Sequence, residues 1–398
     1  CEWTDLTTWL DGDVADRYKG LDCAGRERMA RRLLWLARPL LATRAGDEAR
    51  AEFLSRRTVA ALFKASVSPH GTSWGFDVEE IGLRYGWPSA WSRDERRIGS
   101  LDGFDTPVVG YEPRPAHAFV PVGRVVDDPT RASPNDWSLD QRIAQARYAP
   151  TYADTFVALT HQLGRFRRGD SLVVVASYDG GDAARWGEGP VRAALLLAEG
   201  PDSVLAHDTR ENAPPRGTLQ VTAPNAPALV AVELFAPKGR RAARARYGVA
   251  PLDPGSAVSD LLLVDAAHFG GDAANADLDS VLPSALPTTA VAAGDAVGLF
   301  WESYVKPDED KPIRVSLTLV PTTMNLAKRL AVALHLAERP APVTLKWDDT
   351  GRPEGPAGHV LVLHTEGMPE GRYRLELALR RDEVELGVAR GEMTVKER

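Results

Sequence analysis

Residues 313–319, Ile-Arg-Val-Ser-Leu-Thr-Leu, alternate apolar and polar side chains at every step. Successive side chains of an extended strand point to opposite faces. A period of two therefore puts Ile313, Val315, Leu317 and Leu319 on one face and Arg314, Ser316 and Thr318 on the other. One face is buried and one is wet, the pattern of an antiparallel sheet. Leu375, Leu377 and Leu379 repeat it in part against Arg374, Glu376 and Arg380.

Upstream lie more short apolar runs. They are SLVVVASYD (171–179), VRAALLLAEG (191–200), GTLQVTAP (217–224), ALVAVELFAP (228–237), RAARARYGV (241–249) and SDLLLVD (259–265). Gly, Pro, Asp or Asn separates each from the next, and strands at this spacing read as a sandwich. Tyr373, in GRYRLEL, stands where immunoglobulin-like sandwiches often keep a corner tyrosine. Trp301 and Trp347 are expected in the core of the last sandwich.

The N-terminal quarter has a different period. Met29, Leu33, Leu36 and Leu40 follow at four, three and four, one stripe of a helix. Arg26, Arg28, Arg31 and Arg32 occupy the opposite surface, and Pro39 marks the end. Asp47 is the expected cap of a second helix burying Leu54, Ala61, Leu62 and Ala65. Asp77 with Glu80 fits a capping box, and Gly86 would close that helix.

The chain has 398 residues, too many for one core. The expected fold is a multidomain α plus all-β chain: a helical N-terminal module followed by two immunoglobulin-like antiparallel β-sandwich domains. The expected boundaries are a helical module over 1–99 and a Pro- and Asp-rich wrapping segment over 100–150. A first sandwich follows over 151–268, a linker over 269–290 and a second sandwich over 291–398.

Net charge is -7, which argues against a nucleic-acid partner, since phosphate binding needs a clustered basic surface. Arg240, Arg241, Arg244 and Arg246 do cluster in GRRAARARYG (239–248); they read as a solvated sheet face. No apolar run approaches the length of about 20 residues that spans a bilayer. The chain starts at Cys1 with no Met and no leader, as a processed or shortened chain would. Cys1 has three readings: a disulfide to Cys23, the acylated first residue of a lipoprotein, or a free thiol. The first two place the protein outside the cytoplasm, in the periplasm, on the outer membrane surface or secreted.

Three pieces in order resemble the bacterial GWxTD-motif family. WLARP (35–39), led by Trp35, resembles its Trp-centred segment ending in a charged residue and Pro. Asp47, Glu48, Glu52, Phe53, Leu54 and Arg56 resemble its second helix. SWGFDVEEIGLRYGWP (73–88) resembles the motif itself, with Trp74 and Asp77 at the Trp and Asp spacing and Tyr85, Gly86 and Pro88 in the closing YGxP. Ser73 stands for the motif's Gly and Phe76 for its Thr. The resemblance implies a bacterial, frequently exported protein and no particular activity.

No catalytic signature emerges, and no cofactor is implied. The eight histidines, His70, His117, His161, His207, His268, His335, His359 and His364, form no HxH or HExxH pair. No GxSxG elbow is present. Asp272, Asn275, Asp277 and Asp279 are dense enough in oxygen to suggest Ca²⁺, but they lack the EF-hand's Gly and distal Glu and read as a solvated linker. Trp186, in the Gly-rich run YDGGDAARWGEGP (178–190), is either folded over a sheet edge or exposed to stack on a sugar. The leading expectation is a non-enzymatic envelope or surface protein that binds a protein partner or a second copy of itself. The alternatives are a glycan binder using Trp186, and a hydrolase using Asp77, Glu79, Glu80 or His70.

Overall fold

The computed structural model describes residues 3–10, 12–44, 46–66, 75–93, 109–113, 116–137, 146–270, 273–306, 311–322, 342–349 and 355–397. Helices and strands are numbered along the chain. Four helices fall in the N-terminal quarter: α1 (Gly12–Gly20), α2 (Cys23–Leu36), α3 (Glu48–Phe63) and α4 (Phe76–Tyr85). Beyond them strand dominates, and the helices α5 (Gly123–Asp127) and α6 (Leu278–Val281) are short. Among the described residues no helix is long and apolar enough to cross a membrane. The chain divides into two compact units, and neither is continuous in sequence. The first takes residues 1–158, 186–211 and 227–250; the second takes 159–185, 212–226 and 251–398.

In the first unit, β1 (Pro88–Arg93) and β2 (Val109–Pro113) form an antiparallel pair within the stretches expected to be helical and wrapping. A five-stranded sheet follows, in the order β3-β10-β9-β6-β7. Its strands are β3 (Thr155–Ala158), β6 (Val191–Gly200), β7 (Ser203–Ala213), β9 (Ala228–Ala236) and β10 (Arg241–Val249). The β3–β10 edge pairing is parallel, while β10–β9 and β9–β6 are antiparallel.

The helices pack as an amphipathic set. Of the stripe expected for α2, Leu33 and Leu36 are fully buried and Met29 half-buried, while Leu40, also buried, lies beyond the helix end at Leu36; each full burial contributes about 1.5–3 kcal/mol. The α3 expectation needs correction. Its buried stripe is Ala49, Phe53, Arg56 and Ala60, at spacings of four, three and four, and Leu62 is exposed. The caps differ as well. Asp47 holds the N-cap position of α3 without a side-chain cap bond and pairs with Arg38 at 3.3 Å. Helix α4 is capped by Gly75, which leaves Asp77 in the first turn and makes no capping box.

The second unit is built from three sheets. The first holds β4 (Thr160–Arg168), β5 (Ser171–Asp179) and β8 (Arg216–Pro224). The middle one runs β11-β14-β17-β12, from β11 (Leu262–Asp265), β12 (Ala273–Asn275), β14 (Ala296–Ser303) and β17 (Ala357–His364). The third runs β13-β19-β18-β15-β16. Its strands are β13 (Ala290–Ala292), β15 (Ile313–Pro321), β16 (Val343–Asp349), β18 (Gly371–Arg381) and β19 (Val384–Lys396).

The middle sheet buries side chains on both faces. Phe300 and Val360 pack with Phe166 and Val175, while Leu299, Trp301 and Leu363 pack with Val315, Leu317, Leu375 and Leu377. That is why β14 reads as a nearly unbroken apolar run. Trp301 and Trp347 meet in this second core, ring centroids 5.9 Å apart. Tyr373 is buried, and its hydroxyl donates to the carbonyl of Pro369 at 2.5 Å, the corner contact expected of it.

Candidate functional site

After α2 ends at Leu36 the chain leaves the helix, and its backbone groups need partners away from water. Buried charges from β9 and β10 supply them. Glu233 Oε1 accepts from the Leu41 N–H at 2.6 Å. Its Oε2 accepts from the N–H groups of Ala42 and Thr43 at 3.0 and 3.1 Å and from the Thr43 hydroxyl at 3.1 Å. The carbonyls of Arg38 and Pro39 are taken by arginines. Arg244 Nη1 donates to them at 3.0 and 2.7 Å. Arg246 donates to them at 2.7 and 2.8 Å and also to Glu233 at 3.0 Å. Tyr148 closes the set, donating to the Ala37 carbonyl at 2.6 Å.

Glu233 is 0 % exposed, Arg244 4 % and Arg246 2 %. This corrects the solvated-face reading of GRRAARARYG. Arg244 and Arg246 do share one face of β10, but WLARP and the residues after it cover that face. Their guanidinium groups also lie over Phe119 and Trp137, at 5.0 and 5.6 Å from the ring centroids. Burial alone would push the Glu233 carboxyl up; the Arg246 guanidinium and the three N–H donors outweigh it and hold the carboxyl below its ordinary value. Burial, reinforced by Arg246, draws Arg244 well below the usual guanidinium range.

A second junction joins the other two motif pieces. Arg56 on α3 pairs with Glu52 at 2.6 Å. It also donates to the carbonyls of Leu83, Arg84 and Arg147 at 3.2, 2.9 and 2.7 Å. Trp9 Nε1 donates to the same Leu83 carbonyl at 2.9 Å. These donors satisfy carbonyls at the end of α4, where a helix leaves them without partners. Gly86 follows at φ 81° and ψ -172°, a region open essentially to glycine. Arg147 lies over the Tyr85 ring at 4.7 Å, Pro88 opens β1, and Trp35 is buried with Trp137, Val125 and Leu229. Asp77 is exposed on α4. Trp74 and His70 lie outside the described residues.

The remaining candidates scatter. Trp186 is 1 % exposed, with the Arg241 guanidinium 5.7 Å from its ring centroid, so it is an interior residue and not the exposed platform that glycan stacking needs. Asp277 holds the N-cap position of α6 and Asp279 its first turn, while Asp272 lies outside the described residues. Among the described residues no three His, Cys, Asp or Glu side chains gather to hold a metal ion. Glu79 and Glu80 lie in the first half of α4. Cys23 opens α2, and Cys1 lies outside the described residues.

The second unit contains a grouping that the sequence did not announce. His359 Nε2 is 3.2 Å from Ser303 Oγ and 3.3 Å from Asp349 Oδ2, and its ring stacks on Trp301 at 5.3 Å. A catalytic triad uses opposite ring nitrogens for the acid and the nucleophile. Here both contacts fall on one nitrogen, Nε2, and Ser303 is buried. The arrangement ties β14, β16 and β17 together.

No protein-family model and no curated protein matches the chain. Among solved structures it is similar to the FN1–FN3 domains of chicken CNTN1, at 11 % identity over 63 % of this chain and 70 % of that one, with a TM-score of 0.21. It is similar to red sea bream transglutaminase at 12 % identity over 60 % of this chain, spanning about a third (32 %) of the enzyme, with a TM-score of 0.19. A two-domain fibronectin type III segment of chicken tenascin matches at 11 % identity over 59 % of this chain and 99 % of that one, with a TM-score of 0.17. At these scores the likenesses carry no argument about the site.

Proposed function

We propose that this protein is a non-enzymatic structural and interaction component of a bacterial cell-envelope or surface assembly, with a GWxTD-like N-terminal module that docks a partner. The observation that carries the reading is where the buried charge goes. Glu233, Arg244, Arg246 and Arg56 spend their hydrogen bonds chiefly on the main chain, and otherwise on each other and on the side chains of Thr43 and Glu52. Such groups fix the shape of a surface and offer nothing to a substrate. The module also exposes large apolar side chains, Phe76 at 91 % and Trp87 at 41 % among them, as docking surfaces do.

Chemical crosslinking of the native membrane fraction, followed by purification of the full chain, tests the role. A discrete assembly containing a second protein is expected; recovery of the uncrosslinked chain alone would sink it. Location outside the cytoplasm is part of the proposal. Intact-mass measurement with thiol alkylation before and after reduction should show Cys1 and Cys23 protected until reduced. A mass raised by acyl chains would establish the lipid-anchored reading instead, and two thiols alkylated without reduction would count against both.

A further inference from the structure

Strand β7 ends the sheet order β3-β10-β9-β6-β7, and among the described residues no strand pairs with its outer side. A sheet edge of this kind presents a row of backbone N–H and C=O groups to any strand that can approach. The edge is long, eleven residues where about five or six are usual. No proline or glycine interrupts it, although such breaks commonly blunt an edge. His207, Thr209, Arg210 and Glu211 are exposed.

The side chains of this edge are ordered about Thr209. Asp208 and Arg210 flank it with opposite charge, and His207 and Glu211 stand one step further out. When a twofold axis normal to the sheet joins two copies of one strand, they run antiparallel and each face stays a face. Facing residues then share a face, and the axis passes through a residue. An axis at Thr209 sets Asp208 against Arg210 of the second copy, and Arg210 against its Asp208. It sets His207 against the Glu211 carboxylate of the second copy and Thr209 against Thr209. Opposite charges and threonine pairs are cross-strand partners that favour a sheet. An axis at Asp208 or at Arg210 would instead set like charges face to face, which is destabilising. Within one copy Asp208 pairs with Arg210 at 3.4 Å, and Glu211 with Arg192 of β6 at 2.7 Å. These are surface pairs, which bind weakly, and a facing strand extends them into a network.

We propose that β7 is a self-association edge: two copies of this chain join antiparallel through β7, in the register centred on Thr209, and continue the sheet across the axis. Main-chain hydrogen bonds supply the affinity, and the charge order fixes the register and selects a second copy. The inference goes beyond the docking role of the helical module and uses a different surface.

Sedimentation velocity of the full chain over a hundredfold range of concentration tests it, with thermal melting to show that each variant is folded. The native chain should pass from monomer to dimer. Asp208→Arg and Arg210→Asp each set like charges across the axis and should weaken self-association at least tenfold. The double variant carrying both changes restores opposite charges and should return to within threefold of the native chain. A mixture of the two single variants should form the mixed dimer in preference to either self-pair. Under mild oxidation Thr209→Cys should cross-link to itself, identified by the mass of the linked peptide, because facing residues of a strand pair lie within disulfide reach. His207→Cys, set back from the axis, should not. A monomer at every concentration, or a dimer indifferent to the charge reversals, overturns the proposal. So does self-linking of His207→Cys in place of Thr209→Cys, which would mean another register. The crosslinked native assembly should survive both single variants; if the dimer forms and no second protein is recovered, the docking role fails and the β7 edge stands.

Discussion

A Cβ added to Gly86 would stand 2.9 Å from Nη2 of Arg56, closer than real Cβ contacts allow. The contact couples the helix carrying Arg56 to the turn that ends α4. Gly86→Ala would also force an L-residue into glycine-only backbone, a cost of about 1–3 kcal/mol before any displacement of the guanidinium. Chemical denaturation should show a loss of about 2–4 kcal/mol. Arg56→Lys, which keeps the charge and loses the fork, should be destabilising too. In the double variant the two losses should fall short of additive by at least about 0.5 kcal/mol.

Glu233→Gln removes the anion and leaves Arg246 buried beside a neutral group. Breaking a buried pair in this way costs about 3–5 kcal/mol. The pH dependence is a sharper check. The folded-state carboxyl lies below its ordinary value, so its stabilisation is complete above the unfolded pKa, near 4.3. It is lost as pH falls through the lower folded value. Urea unfolding between pH 6 and 3 should give a shallower acid-side decline for the variant than for the native chain. Parallel curves would mean that the clasp is not anionic.

His161 acts in a neighbouring pH range. Burial holds its imidazole below the usual histidine value, against a backbone contact to Leu159 at 3.0 Å. The unfolded chain therefore takes up the proton first, and stability declines as pH drops below about 6.5. His161→Asn should flatten the stability curve between pH 7 and 5. His117, also lowered by burial, should keep part of that slope.

Tyr373→Phe deletes one hydroxyl and its bond to Pro369. A neutral hydrogen bond of this kind contributes about 1 kcal/mol net. Thermal and urea unfolding should record a loss of that size. A neutral outcome would reduce the corner tyrosine to a packing residue.

Periodicity was a sound guide wherever a residue's partners lie one strand or one turn away. The alternation of Ile313 to Leu319 and the burial of Leu33 and Leu36 on one face of α2 are found as expected. It misled where a neighbour comes from far along the chain. Helix α3 turns Phe53 and Arg56 inward because Arg56 has carbonyls to bind at Leu83, Arg84 and Arg147, and no hydropathy pattern places an arginine in a core. Arg244 and Arg246 looked solvated for the same reason, since the segment covering them lies some 200 positions upstream. Glu233, alone in an apolar strand, was the legible signal: a carboxylate in a buried run demands a partner. Ser303, His359 and Asp349 are brought together by sheet topology, which local spacing does not encode.

The Glu233 clasp also sets a timetable. Leu41 and the carboxylate that receives its N–H are 192 positions apart. At about 5–20 residues per second of synthesis, the amides of Leu41, Ala42 and Thr43 wait roughly 10–40 s for their acceptor to be made. The N-terminal helices thus leave the ribosome first and finish folding late, after β9 and β10 have emerged. Until then the apolar faces of those helices stay incompletely covered, the state in which a nascent chain is most open to aggregation.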